Sequence, residues 1–308
     1  MKNPKISIVL PTYNGARFLS DSIESIIAQT ERDWELIIVN DCSTDDTLKI
    51  ANKYATQDSR ISVVSNRTNK KLPASLNVGF ALARGKYLTW TSDDNIYHIG
   101  ALKKMAAYLD ENKSADMVSF DINFVNENTL KIRCTLAEIC YGRNQKQLAM
   151  QCNIGAAFMY RREIAEKIGK YDEQMFCAED YDYWCRIALH GRIDYVDEVI
   201  YDYRENSASI TATQKARVQE QTTAIWNKYC DSFCKIMTDR EIMLLKYNNR
   251  KWPFSLSSLP VKYKIGYALL KIRQVVVKTL FAILLFWNKK LQHKICHKLL
   301  VIKFDDVK

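Results

Sequence analysis

Lys5 to Leu10 (KISIVL) is a short apolar, β-branched run that stops at the turn-formers Pro11-Thr12-Tyr13-Asn14-Gly15, and the chain then repeats this unit. Phe18, Leu19, Ile23, Ile26 and Ile27 recur at helical spacing, so Arg17 to Gln29 reads as an amphipathic helix with one face for a sheet. Trp34 to Val39 (WELIIV) is the next strand, ending in Asn40-Asp41-Cys42-Ser43-Thr44-Asp45-Asp46, and a helix follows through Leu48, Ile50, Ala51 and Tyr54. Ile61 to Ser65 is a third strand and Ser75 to Ala83 a third helix, stopped by Arg84-Gly85-Lys86. Strand, polar loop and helix in alternation predict an α/β fold, with a mostly parallel sheet joined by right-handed crossovers and flanked by helices.

The fourth strand opens at Tyr87 and breaks off into Ser92-Asp93-Asp94-Asn95. In such a sheet, ligands collect beyond the carboxyl ends of the strands. A hard divalent cation beside a nucleotide diphosphate needs one or two carboxylates there, which Asp93 and Asp94 can supply. Ser92, Asp93 and Asn95 are equally good caps for a helix starting near Ile96, so this stretch alone leaves both readings open. Tyr13, Asp41 and the acidic pair fall at the same end of three strands. Tyr13 can offer its ring to a base, and Asp41 can accept from a base N–H or a ribose hydroxyl. Neither a Gly-rich dinucleotide fingerprint nor a Gly-Lys-Ser/Thr phosphate loop is present, so a diphosphate must be neutralised by the metal and basic side chains. Lys70, Lys71 and Arg84 are candidates, or simply solvated surface.

Charge divides the chain. From Arg250 onward thirteen Lys and Arg stand against Asp305 and Asp306, whereas the preceding 249 residues carry 32 basic and 33 acidic groups. A neutral body argues against nucleic acid as a partner, and a cationic tail points to an anionic surface. Ile265 to Trp287 is interrupted by Lys271, Arg273 and Lys278, too early to span a bilayer. Lys264, Lys271 and Lys278, then Lys290, Lys294 and Lys298, line up against apolar faces. Helices lying in the membrane plane are expected, or a tail packed on the body with Lys stems covering apolar surface. The nine cysteines show no paired spacing and no apolar signal segment leads the chain, so they read as small buried hydrophobes in a reducing, cytoplasmic compartment. Neither Cys230 with Cys234, nor Cys296 between His293 and His297, supplies four zinc ligands.

In the second half, Met117 to Phe124, Phe158 to Tyr160, Ile193 to Val196 and Val199 to Tyr203 read as strands, and Glu179 to His190 as a helix. Asp180, Trp184 and Ile187 share one helical face, while Asp182 and Arg186 pair across another, so Asp180 is expected to point inward and Asp182 outward. An inward carboxylate at a helix start is a cap or a general base. Glu205 to Thr213 reads as a mobile loop over the site.

VLPTYNG (9 to 15), VNDCSTDDT (39 to 47), the approach from Asn77 to Lys86, TWTSDDNIY (89 to 97) and AEDYDYWCRI (178 to 187) together resemble the family 2 glycosyltransferases of GT-A type, over roughly residues 5 to 210. The resemblance implies inverting transfer of a sugar from a nucleotide diphosphate, a UDP-sugar first among donors, with Mn²⁺ or Mg²⁺ as cofactor. It implies that Pro11, Tyr13 and Asp41 line the nucleoside site and that Asp93 and Asp94 hold the diphosphate and metal. Asp180 is then the general base, with Glu179 on the acceptor side. Three positions depart from the pattern: Cys42 replaces a glycine, Ser92 the first acid of an Asp-x-Asp motif, and Asn206 a histidine after the Tyr-Arg pair. The second leaves Asp94 the more secure metal ligand. No Gln-x-x-Arg-Trp sequence occurs, which implies a non-processive enzyme.

These readings divide the chain into a catalytic domain at 1–230, with a nucleotide-sugar half (1–115) and an acceptor half (116–230), and a helical basic appendage at 231–308. The expected role is in cell-surface glycan synthesis on a glycan or lipid-linked glycan acceptor, at the inner face of the membrane. Two rivals remain at this stage: a metal-dependent nucleotidyltransferase and a catalytically silent membrane-bound scaffold.

Overall fold

A computed structural model describes residues 3–134, 145–149, 151–207, 209–239, 241–242 and 268. Strands β1 (Ile6–Thr12) and β2 (Trp34–Asn40) are buried at every position, as parallel strands covered on both faces must be. They pair in parallel from Ile6 opposite Trp34, with β3 (Ile61–Ser65) outside β2 and β4 (Tyr87–Trp90) on the other side of β1. The period-two alternation of strands sorts the core into two layers. Ile6, Ile8 and Leu10 face helices α1 (Leu19–Ile27) and α4 (Ala101–Glu111), whereas Val9, Val39 and Leu88 face α3 (Leu72–Leu82) and α6 (Glu179–His190).

The sheet continues past β4 through β8 (Phe158–Arg161), β6 (Met117–Val125), β9 (Ile193–Arg204) and β5 (Ile96–Tyr97), with β7 (Lys131–Cys134) paired to β6. β8 runs antiparallel to both β4 and β6, and β9 runs parallel to β6. The carboxyl ends of β1, β2, β4, β6 and β9 therefore share one edge of the sheet, and the expected mostly parallel α/β sheet flanked by helices is the one observed.

Four local expectations change. The strands expected at 193–196 and 199–203 are one strand, because a register shift opposite Phe120 and Asp121 takes up the residues between Val196 and Val199. No helix starts at Ile96. Instead β5 pairs Tyr97 with Tyr201, and α4 begins only after Gly100, whose φ of +85° suits glycine. α3 starts at Leu72, not Ser75, with Pro73 in its first turn, where a missing N–H costs nothing. The stretch expected as a loop up to Thr213 contains a helical turn, α7 (Ile210–Thr213), ahead of the long α8 (Lys215–Ile236).

α8 continues through position 230 and packs on α6, with Trp226 Nε1 donating to Tyr181 Oη at 3.0 Å. Among the described residues no helix is long and apolar enough to cross a membrane. The lysine-rich stretches expected as in-plane helices, and the Cys296 group, lie outside the described residues. Among the cysteine side chains described, Cys185 is buried, whereas Cys42, Cys152, Cys177, Cys230 and Cys234 are partly or well exposed, contrary to the expectation of buried thiols.

Candidate functional site

A cavity of about 660 Å³ opens at the carboxyl edge of the sheet. Pro11, Tyr13, Asp41, Asp93 and Asp94 line it from the first half, and Glu179 and Asp180 from the second. The nucleoside, metal and base candidates of the sequence thus border one space, although 86 positions separate Asp94 from Asp180.

Asp41 follows β2 and is held by its neighbours. Its Oδ1 accepts from Asn66 Nδ2 and the Lys70 amide, and its Oδ2 from the Lys71 amide, each at 2.8 Å. A carboxylate offers about four acceptor positions, so Asp41 keeps one for an N–H or hydroxyl in the cavity. Lys70 and Lys71 therefore contribute backbone N–H groups here, where the sequence suggested side-chain charge. Arg84 is not at the site: its guanidinium pairs with Glu35 at 2.6 Å, and its amide bonds Ser7 Oγ and Glu35, near the amino ends of β1 and β2. The loops after β1 and β2 close on each other, with Asn14 Oδ1 accepting from the Thr44 amide at 2.8 Å and the Asn14 amide donating to Ser43 Oγ at 3.0 Å. Cys42, at φ +64°, takes the left-handed conformation that explains why a glycine is usual there.

Asp93 is fitted closely into the β1 turn. Thr12 Oγ1 donates to its Oδ2, and a Cβ at Gly15 would overlap the same carboxylate, so the turn leaves Asp93 room only because Gly15 has no side chain. Burial and the neighbouring Asp94 charge push the Asp93 carboxyl up to about 7, and burial pushes Asp94 up to about 6. Asp94 is moderated by the Arg204 charge and by Asn206 Nδ2, which donates to its Oδ2 at 2.6 Å. Arg204 is buried at the end of β9, where its guanidinium contacts Asp21 at 3.0 Å and lies 4.1 Å over the Phe18 ring, and its amide bonds Asn95 Oδ1 at 2.8 Å.

Two adjacent carboxyls raised by burial, Asp93 also by the Asp94 charge, and facing a cavity, form a donor set that a divalent cation would relieve. Among the described residues no group of three or more His, Cys, Asp or Glu side chains is arranged to enclose a metal. A cation on Asp93 and Asp94 fits if it completes its shell with water and phosphate oxygens, as Mg²⁺ does at nucleotide sites.

Across the cavity, α6 begins after Cys177, whose φ is +82°. Glu179 turns back to accept from the Cys177 amide at 2.9 Å, and Asp180 Oδ1 accepts from the Tyr181 amide at 2.6 Å, so both carboxyls meet the positive end of the helix. Burial raises both, and the Asp180 charge carries Glu179 further, to about 8. Near neutral pH Glu179 therefore holds its proton. Asp182 does not face outward as expected. It is fully buried and accepts from Arg186 Nε at 2.9 Å, as the four-residue spacing foresaw, but also from Lys228 Nζ and Tyr229 Oη, each at 2.8 Å. The polar face of α6 is covered because α8 lies over it.

Three contributors escaped the sequence reading as site residues. Trp90 and Phe158 line the cavity interior, and Asn206 reaches Asp94 from beyond β9. Trp90 lies three positions ahead of Asp93, a signal available in the strand that ends there. Nothing local marks Phe158.

The model of Glycosyl transferase family 2 matches residues 7–169. The chain belongs to that family. Among curated relatives, this family 2 glycosyltransferase is 32% identical over 209 residues to the putative glycosyltransferase EpsE of Bacillus subtilis, covering 66% of this chain and 74% of EpsE. It is 25% identical over 250 residues to an uncharacterized glycosyltransferase of Rickettsia prowazekii, covering 79% of this chain and 76% of the relative. Its fold is that of GT-A glycosyltransferases. S. aureus TarS 1–349 in complex with UDP-GlcNAc superposes with a TM-score of 0.59 at 19% identity, over 82% of this chain and 68% of that one. The mannosyltransferase PcManGT of Pyrobaculum calidifontis, in complex with GDP-Man and Mn²⁺, superposes at 0.56 with 14% identity, over 96% and 85%. The chain spans 44% of the longer TarS structure.

Proposed function

We propose that this glycosyltransferase moves a sugar from a nucleotide diphosphate, a UDP-sugar first among the candidates, to an acceptor hydroxyl with inversion and without processivity. The reading is carried by one observation: the acidic end of β4 and the carboxylates opening α6 line the same cavity. Pro11, Tyr13 and Asp41 receive the nucleoside, with the free acceptor position on Asp41 reading a base N–H or ribose hydroxyl. Asp94, with Asp93, holds a divalent cation, Mn²⁺ or Mg²⁺, which when bound supplies positive charge against the leaving diphosphate.

Asp180 takes the proton of the acceptor hydroxyl as its oxygen bonds to the anomeric carbon from the face opposite the diphosphate. The bond from that carbon to the diphosphate oxygen breaks, and the nucleoside diphosphate departs. Glu179, protonated, lies on the acceptor side and keeps a second negative charge away from Asp180. General-base help of this kind is worth about 10² to 10⁴ in rate. The acceptor is a glycan or lipid-linked glycan of the cell surface, reached from the cytoplasmic face of the membrane, where the basic stretch after Arg250 meets anionic lipid at about 1 kcal/mol per nearby Lys or Arg.

Product analysis tests the reaction class. With UDP-GlcNAc, UDP-glucose or GDP-mannose, Mn²⁺ and a glycan acceptor pool, release of a nucleoside diphosphate together with a glycosylated product supports the proposal. Release of pyrophosphate makes the chain a nucleotidyltransferase instead.

A further inference from the structure

Trp90 ends β4 three residues before Asp93, and its ring lines the cavity while remaining only partly exposed. Its surroundings limit what it can offer a ligand. Indole carries a single polar group, the N–H donor. That group is already engaged, donating to Tyr171 Oη at 3.1 Å. Tyr171 is in turn stacked on Tyr183 at 3.9 Å between ring centroids, and Phe158 meets the Trp90 ring edge-on at 5.6 Å and 67°. The indole is thus locked in orientation, and what it presents to the cavity is ring surface alone.

Its place in the site matters equally. Asp93 follows it three residues on in the chain, and Trp90 lines the same cavity as Asp93, Asp94 and Asp180. Of the other rings that line the cavity, Phe124 and Tyr203 pack on each other at 5.6 Å between centroids on β6 and β9, and three more are differently placed. Phe18 is covered by the Arg17 and Arg204 guanidiniums at 4.6 and 4.1 Å. Tyr201 is fully buried, with its hydroxyl bonded to Thr91, and Tyr13 is half exposed beside the β1 turn. A pyranose has polar edges and an apolar C–H face, and the face of an aromatic ring is the complementary surface for it.

We propose that Trp90 is the platform on which the transferred sugar rests its C–H face, held rigid by Tyr171 and Phe158, and that it is a specificity-determining residue of the donor site. The inference rests on the donor reading above. It assigns the donor a pyranose with an unobstructed apolar face and gives the sugar its own affinity increment, separate from that of the nucleotide.

Calorimetric titration of the full chain in Mn²⁺ separates the two. UDP is compared with UDP-GlcNAc and UDP-glucose, then GDP with GDP-mannose, on wild type, Trp90→Ala and Trp90→Phe. The expected result is that wild type binds a sugar nucleotide more tightly than the bare nucleotide. Trp90→Ala loses that increment, on the order of tenfold, while bare-nucleotide affinity stays within about twofold and shows that the variant is folded. Trp90→Phe retains most of the increment. If Trp90→Ala keeps the wild-type ratio of the two affinities, or loses both in parallel while its thermal melt is unchanged, the platform is overturned and the donor reading stands. A wild type that binds none of the nucleotides overturns the donor reading and the platform with it.

Discussion

Asn206 Nδ2 donates to Asp94 Oδ2 at 2.6 Å, tying the segment after β9 to the acidic turn after β4. The bond stands where the family pattern places a histidine, and it makes the late segment part of the carboxylate's immediate surroundings. Removing it leaves Asp94 less favourably placed for charge. Asn206→Ala is expected to weaken Mn²⁺ affinity by roughly tenfold, the worth of one hydrogen bond to a charged group. Electron paramagnetic titration of free Mn²⁺ measures this without any turnover.

Asp180 is the expected base, and its loss separates binding from chemistry. Asp180→Asn keeps the acceptor geometry toward the Tyr181 amide but cannot take a proton. Turnover is expected to fall by about 10² to 10⁴, with donor affinity within about threefold of wild type. Single-turnover kinetics beside equilibrium donor binding give the two numbers. Wild-type turnover in this variant removes Asp180 from the mechanism.

The raised carboxyls make stability depend on pH in a definite direction. Glu179 binds its proton more tightly folded, at about 8, than its ordinary 4.5, so the folded state holds more protons between those values. Its contribution is complete below about pH 4.5 and drains away as pH rises toward 8, by no more than about 1.4 kcal/mol per pH unit for one proton. Asp93, raised from 3.8 to about 7, runs the same way over a lower range. Glu179→Gln keeps an acceptor for the Cys177 amide and has no such titration. In urea melts from pH 5 to pH 8, the stability of wild type relative to Glu179→Gln is expected to decline steadily. A pH-independent difference rejects the raised proton.

Asp182 links α6 to α8 through Arg186, Lys228 and Tyr229. Asp182→Ala leaves those groups facing each other without the carboxylate. Breaking a fully buried pair costs about 3 to 5 kcal/mol. The Lys228 side chain is 40% exposed and can turn to water, so a loss of roughly 2 to 3 kcal/mol is expected, read from denaturant midpoints. Lys228→Met is expected to be milder, because Arg186 and Tyr229 still satisfy the acid.

Sequence alone determined the repeated units and the identity of the carboxylates at their ends. The continuous apolar runs of β1 and β2, which mark strands covered on both faces, and the helical period of α6 are local properties. Glu179 to His190 was accordingly legible to the residue, as was the placing of Asp41, Asp93 and Asp94 at the carboxyl edge. Tertiary structure decided which polar side is covered. Asp182 looks solvated until α8, 46 residues on, lays Lys228 across it; Arg84 reads as a phosphate ligand or solvated surface until β2 brings Glu35 to it. Asn206 has no visible role until β9 carries it to Asp94. Local periodicity reports the hydrophobic face of an element, whereas the partner of a buried charge is chosen by chain crossings that no local window contains.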